Sequence, residues 1–144
     1  MSRRIGFIAC TKKKKDYPCQ AEELYSESTL FRFASSYCKK TYDEWYILSA
    51  QHHLMKPSVT LEPYEKTLMK STTVEKKQWA NIVFEEICKE IPLDHSLYFH
   101  AGLDYAKYLI ELLNCRGYQC FKPLHGLGIG QQLRWYKEVL HEPL

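Results

Sequence analysis

Arg4-Ile5-Gly6-Phe7-Ile8-Ala9 is an apolar, strand-like run that stops at the polar cluster Cys10-Thr11-Lys12. The same shape recurs three more times. Trp45-Tyr46-Ile47-Leu48 runs into Ser49-Ala50-Gln51-His52, Leu97-Tyr98-Phe99 into His100-Ala101-Gly102-Leu103-Asp104, and Tyr118-Gln119-Cys120-Phe121 into Pro123-Leu124-His125-Gly126. A segment with helical spacing follows each. The alternation predicts a three-layer α/β/α sandwich with a four-stranded, mostly parallel sheet. In such a sheet the carboxyl ends of the strands gather on one edge, where open α/β sheets bind ligands. The four clusters thereby become one candidate site.

Between the runs, Ser26 to Tyr42 carries Leu30, Phe31, Phe33, Ala34, Tyr37 and Cys38 on a helical stripe. Ser71-Thr72-Thr73 followed by Glu75 has the form of a capping box, and Trp79, Ile82, Val83 and Ile87 continue that helix. Gly102 to Cys115 reads as a helix ended by Gly117, and Gln131 to Leu140 as a last one. Gln51 to Lys70, with Pro57 and Pro63, reads as one long irregular stretch. A loop of that length in a compact domain usually serves function.

The 144 residues read as a single α/β domain, large enough to bury a core without staples. A net charge of +3 does not name a nucleic-acid binder, and it excludes a strongly acidic surface. Six cysteines without a CxxC pair, and an amino terminus that runs from Met1-Ser2-Arg3-Arg4 straight into a strand, argue against a disulfide framework. No apolar run approaches membrane-spanning length. The chain reads as soluble and cytoplasmic, with no membrane partner and no cofactor.

The clusters differ in what they offer. Lys12-Lys13-Lys14-Lys15 is a solvated loop on one reading and a phosphate contact on the other; its place just past the first strand favours contact. Gly126-x-Gly128-x-Gly130 is not a dinucleotide fingerprint, but it feeds a helix with backbone free to approach an anion. His52, His53, His100 and His125 all fall at strand ends. A metal site would need Glu62, Glu65 or Asp104 beside them, and no HExxH-type spacing supports one, so no metal is expected. Cys10 reads as a buried thiol more readily than as a nucleophile.

Ala9-Cys10-x-Lys12-x-Lys14, Glu23-Leu24-Tyr25 with Ser28, Trp45-Tyr46-Ile47-Leu48-Ser49-Ala50-x-His52-x-Leu54, and Pro63-Tyr64-Glu65-x-Thr67-Leu68 together resemble a bacterial and phage family of small domains tied to the YaaA peroxide-stress proteins. Gly102-x-x-Tyr105 and Leu124-x-Gly126-Leu127-x-x-Gly130 extend the likeness. A strand followed by Leu-Ser-Ala is similar to the middle domain of archaeosine synthases, which resembles the uracil-DNA glycosylase fold. The resemblance implies a domain that handles a nucleobase or nucleic acid. The chain departs from the family block in two places: Gln51 stands where Lys is usual, and His53 where Gly is usual.

On that footing the expected function is cleavage of an N-glycosidic bond in nucleic acid, most readily in DNA, at an unusual or modified base. Such an enzyme extracts the base and reads its edge. It needs a carboxylate near the cationic sugar and donors near the leaving base. Glu65 is the candidate carboxylate, with Asp104 in reserve. His52 and His100 are candidate donors, and Ser49 and Gln51 candidate edge readers. Lys12 and Lys14 would hold phosphate, and Tyr25 and Tyr64 would stack on the base. Cys10, Gly102, His125 and Gly126 complete the expected lining. A non-catalytic nucleic-acid-binding module and a small-metabolite hydrolase are the rival readings of the same edge.

Overall fold

The computed structural model describes residues 2–10, 14–64, 71–101 and 103–140, with only the backbone of 103–105. Strand β1 (Arg4–Ala9) leads to a short strand β2 (Cys19–Gln20), a single helical turn α1 (Ala21–Leu24) and helix α2 (Thr29–Thr41). Then come β3 (Glu44–Ser49), β4 (His53–Met55), β5 (Thr60–Leu61) and helix α3 (Thr73–Glu90). Strand β6 (Ser96–His100), helix α4 (Leu103–Arg116), strand β7 (Gln119–Phe121) and helix α5 (Ile129–Leu140) complete the chain. The main sheet has the order β4-β3-β1-β6-β7, and β2 pairs with β5 in a separate two-stranded ribbon.

The four expected strands are present, and neighbours among them pair in parallel: β1 with β3, β1 with β6, and β6 with β7. The sheet itself is five-stranded and mixed, which corrects the four-stranded expectation. The cause is a tight reversal at Ala50-Gln51-His52, which folds β4 back antiparallel on β3, with Ser49 opposite His53. Too short a link for a crossover can only make a hairpin. Stretch 51–70 is likewise not wholly irregular, since it holds β4 and β5; at three and two residues, neither is long enough to show a period.

Local signals explain the helices. Ser28 caps α2 by accepting from the Phe31 amide at 3.2 Å. Thr72 and Glu75 close a reciprocal capping box on α3, at 3.1 and 3.0 Å. Gly117, at φ 113°, ends α4.

Central strand β1 is apolar on both faces because both are covered. Ile5 and Phe7 join Tyr46, Leu48, Leu97 and Phe99 beneath Trp79, Val83 and Ile87 of α3 and Leu109 and Leu113 of α4. Ile8 and Ile47 face Phe31, Ala34 and Cys38 of α2 and Tyr136 of α5. On that second face Gly6 has no substitute: a Cβ there would lie 2.9 Å from Tyr42 Cε2 and 3.0 Å from Cys38 Sγ. Edge strand β4 is guarded by α3, whose Glu86 carboxylate accepts from the Leu54 amide at 3.1 Å. All six cysteines are free thiols. Among the described residues no helix is long and apolar enough to cross a membrane.

His53 holds φ 62°, a backbone conformation that favours Gly. A side chain there stands against the backbone, at a cost of about 1–2 kcal/mol. Replacing His53 by Gly relieves that strain and adds back some unfolded-state entropy. The expected result is a net stabilisation of about 1 kcal/mol, seen as a rise of about 3 °C in the melting temperature. A fall in melting temperature would show that the His53 side chain stabilises the turn by more than its backbone strains it.

Candidate functional site

The ends of the parallel strands do converge. The Cys10 amide, just past β1, donates to the Leu48 carbonyl near the end of β3 at 2.9 Å. On the other side of β1, His100 is the register partner of Ile8. Around this edge stand two arrangements of buried polar groups, one on each side of Cys10.

The first is a chain of hydroxyls. Ser49 Oγ accepts from the backbone amides of Gln51 at 3.2 Å and His52 at 3.0 Å. Two acceptances use both lone pairs, so its hydrogen is directed to Tyr64 Oη, 2.7 Å away. Tyr64 in turn donates to Tyr25 Oη. Serine here closes a side-chain turn and at the same time anchors a segment fifteen residues on. Burial pushes the Tyr25 and Tyr64 phenols well above their ordinary values. Lys14 Nζ stands 4.5 Å from the Tyr64 ring centroid, and the His52 ring meets Tyr64 edge-on at 5.0 Å.

His52 is the unusual member. Its Nε2 is buried and has no hydrogen-bond partner among the described residues. Burial, and then the neighbouring His53, hold its pKa below the ordinary imidazole value, so it is neutral at physiological pH. Orphaned buried polar atoms are rare in folded proteins, and each calls for an explanation.

The second arrangement surrounds His100, which is buried. Its Nε2 pairs with Tyr42 Oη at 2.6 Å and its Nδ1 with Tyr136 Oη at 2.7 Å. One nitrogen donates and the other accepts, so the ring is neutral and fully engaged. It ties the end of α2 to α5. Beside it lies a cavity of about 120 Å³ whose lining includes Cys10, Phe31, Ala101, Gln132 and Tyr136.

The expected site residues therefore separate. Cys10, Lys14, Tyr25, Ser49, His52, Tyr64 and His100 gather at this edge. Tyr25 is fully buried, so its ring offers no face to a base and serves to hold Tyr64. Gln51 joins through its backbone amide, while its side chain is exposed. His125 and Gly126 follow β7 in an exposed loop, with Gly126 at φ 84°, and take no part in the hydroxyl chain. Lys15 of the lysine run donates to the Glu27 carboxylate at 2.7 Å. Lys12, Glu65 and Gly102 lie outside the described residues, as does the side chain of Asp104. Sequence reasoning missed Tyr42, Tyr136 and Gln132. Tyr42 and Tyr136 lie 58 and 36 positions from His100, and the one hint was the heavy use of Tyr. Among the described residues no group of three or more His, Cys, Asp or Glu is placed to hold a metal.

Fold and site define an α/β protein with a mixed sheet and a polar cluster at its parallel strand ends. Residues 5–138 match the family described as Family of unknown function (DUF6884), and the chain belongs to that family. Neither a curated protein nor a solved structure matches it.

His100 gives the protein a defined acid response. Burial lowers its pKa from 6.5 to about 4. Below pH 6.5 the unfolded chain takes up a proton that folded His100 refuses until about pH 4. Its contribution is therefore complete above pH 6.5 and is lost as the pH falls toward 4, by on the order of 3 kcal/mol. Urea unfolding across that range should show the decline, and His100→Gln should flatten it while lowering stability throughout. An unchanged pH slope in His100→Gln would assign the acid response to other groups.

Proposed function

We propose that this chain is a nucleic-acid base-processing hydrolase that cleaves the N-glycosidic bond of an unusual or modified base in DNA, on a uracil-DNA glycosylase-like sandwich. The observation that carries the reading is the strand-end cluster, where a neutral His52 whose Nε2 has no partner among the described residues stands against Tyr64, itself capped by Lys14. Such a reaction moves positive charge onto the sugar and negative charge onto the base as the bond from C1′ to nitrogen breaks. Water supplies the new C1′–oxygen bond, and its proton leaves with the base. A neutral imidazole donating through Nε2 meets the developing negative charge without prior protonation. Ser49 and Tyr25 fix Tyr64, and Glu65 follows Tyr64 directly in the chain as the carboxylate for the cationic sugar. The donor role falls to His52, because both nitrogens of His100 are already engaged. Lys12 and Lys14 supply phosphate contact.

One observation favours a second reading, a binding module without catalysis. The cavity of about 120 Å³ at this edge is smaller than the roughly 300 Å³ at which ligand pockets usually begin. A binding module needs no enclosed pocket. Incubation with modified and unmodified oligonucleotides, followed by mass spectrometry for free base, separates the two.

Glu65→Gln keeps size and removes the charge. Base release should fall about a hundredfold, with oligonucleotide binding and melting temperature retained. Equal release in both proteins would move the carboxylate role to Asp104, and no release from the unmodified protein on any substrate would leave the binding module.

Replacing Lys12 and Lys14 together by Ala should weaken oligonucleotide binding for all sequences alike. The slope of log affinity against log salt should drop by roughly one for each lysine that neutralises a phosphate. An unaltered slope would mean that both lysines are merely solvated.

A further inference from the structure

A row of residues crosses the sheet at one level. Trp45 of β3 is level with Gly6 of β1, Gly6 with Tyr98 of β6, and Tyr98 with Phe121 of β7. Tyr42 lies in the space that Gly6 leaves open. The result is a continuous stack on the α2 face of the sheet. Tyr42 lies on Tyr98 with centroids 4.9 Å apart and planes at 25°, and Tyr98 on Phe121 at 4.8 Å and 17°. The Arg4 guanidinium completes it, 5.6 Å from the Tyr42 centroid and 5.9 Å from that of Tyr98.

The stack runs from the interior to the surface. Tyr42 is buried, Tyr98 half-buried, and Phe121 is 43% exposed. Helix α4 packs against β7 on the opposite face, and α5 packs against α2. Among the described residues β7 is the outermost strand, so Phe121 stacks inward on Tyr98 with no described strand beyond it. A row of parallel rings that ends in an open ring is a place where one more planar group adds without rearrangement.

We propose that Phe121, backed by Tyr98 and Arg4, is a stacking platform for an unpaired base of single-stranded nucleic acid, separate from the strand-end cluster. Charge selects this occupant over an apolar peptide or a second copy of the chain. Arg4 donates one N–H to the Thr41 carbonyl, and its guanidinium lies beside the rings. Lys122 follows Phe121 and is exposed, and Gln119 of the same strand is exposed as well. An aromatic row with a guanidinium beside its inner rings suits a base carried on phosphate. Because every base has a π-face, the platform holds bases without distinguishing sequence. The proposal does not depend on base release at the strand ends.

The test uses a fluorescein-labelled oligothymidylate and an abasic strand of equal length, followed by anisotropy. Phe121→Ala should bind the oligothymidylate roughly tenfold more weakly than the unmodified protein, with unchanged melting temperature. Phe121→Trp should retain binding. Phe121→Leu, which keeps apolar bulk and loses the ring, should behave as Phe121→Ala. The abasic strand should bind all four proteins alike. Full binding by Phe121→Ala or Phe121→Leu overturns the proposal, as does absence of oligothymidylate binding by the unmodified protein. Light scattering reads the rival occupant: a dimer that becomes monomeric in Phe121→Ala would assign the face to a second copy. Glu65→Gln should leave the Phe121-dependent affinity intact, so failure of the hydrolase reading and failure of this one give different results.

Discussion

Parallel hydrogen bonding of β1 to β3 on one side and to β6 on the other is the constraint from which the rest follows. Two parallel neighbours force the chain to return across the sheet after each strand, and helices α2 and α3 make those returns. They must lie on opposite faces, because β3 and β6 flank β1 on opposite sides and right-handed crossovers then diverge. A central strand so covered has no wet face, which is why Ile5, Phe7 and Ile8 are all buried. The same pairing carries Cys10, Ser49 and His100 to one edge. Site and core are therefore two consequences of one topology.

What holds the edge together is polar rather than apolar. Ser49 joins the turn after β3 to Tyr64, and Tyr64 to Tyr25 behind α1, so three distant segments share one run of hydroxyls. Its direction is set by the two backbone amides that fill the acceptor sites of Ser49. In a buried setting such a run is worth most when complete, because each broken link leaves a donor without water to replace it. His100 does for α2 and α5 what Ser49 does for the loops, through two phenols instead of two amides.

Much of the architecture was legible because β1, β3 and β6 are apolar runs with abrupt polar ends, because the apolar run Tyr118–Phe121 before Pro123 marks the short β7, and because Thr72 with Glu75 announces α3 in four residues. The hairpin strand β4 was not legible, since three residues carry no period and its pairing depends on the reversal at Gln51. Residue types at the site were visible as strand-end clusters, but their roles were not. His52 and His100 look alike in sequence. Only the three-dimensional arrangement shows that His100 is saturated by Tyr42 and Tyr136, while the buried Nε2 of His52 has no partner among the described residues. The aromatic row is similarly hidden: Tyr42, Tyr98 and Phe121 share no spacing until strand order and register are known.

The reversal between β3 and β4 concentrates two local costs that, among the described residues, are found nowhere else. His53 stands at φ 62°, where Gly would be at ease, and His52 keeps a buried nitrogen without a partner among the described residues. An unsatisfied buried group costs about 1–3 kcal/mol, and a strained backbone residue a similar amount. Elsewhere local choices agree with the fold: helices are capped, the β4 edge is guarded by Glu86, and Gly6 is placed where only Gly fits. Conflicts confined to one turn, in a chain otherwise consistent across levels, mark the place where something other than stability shaped the sequence. That turn borders Ser49, Tyr64 and Lys14. It carries His52, whose ring meets Tyr64 edge-on while one nitrogen has no partner among the described residues, and this sets it apart from the fully bonded His100.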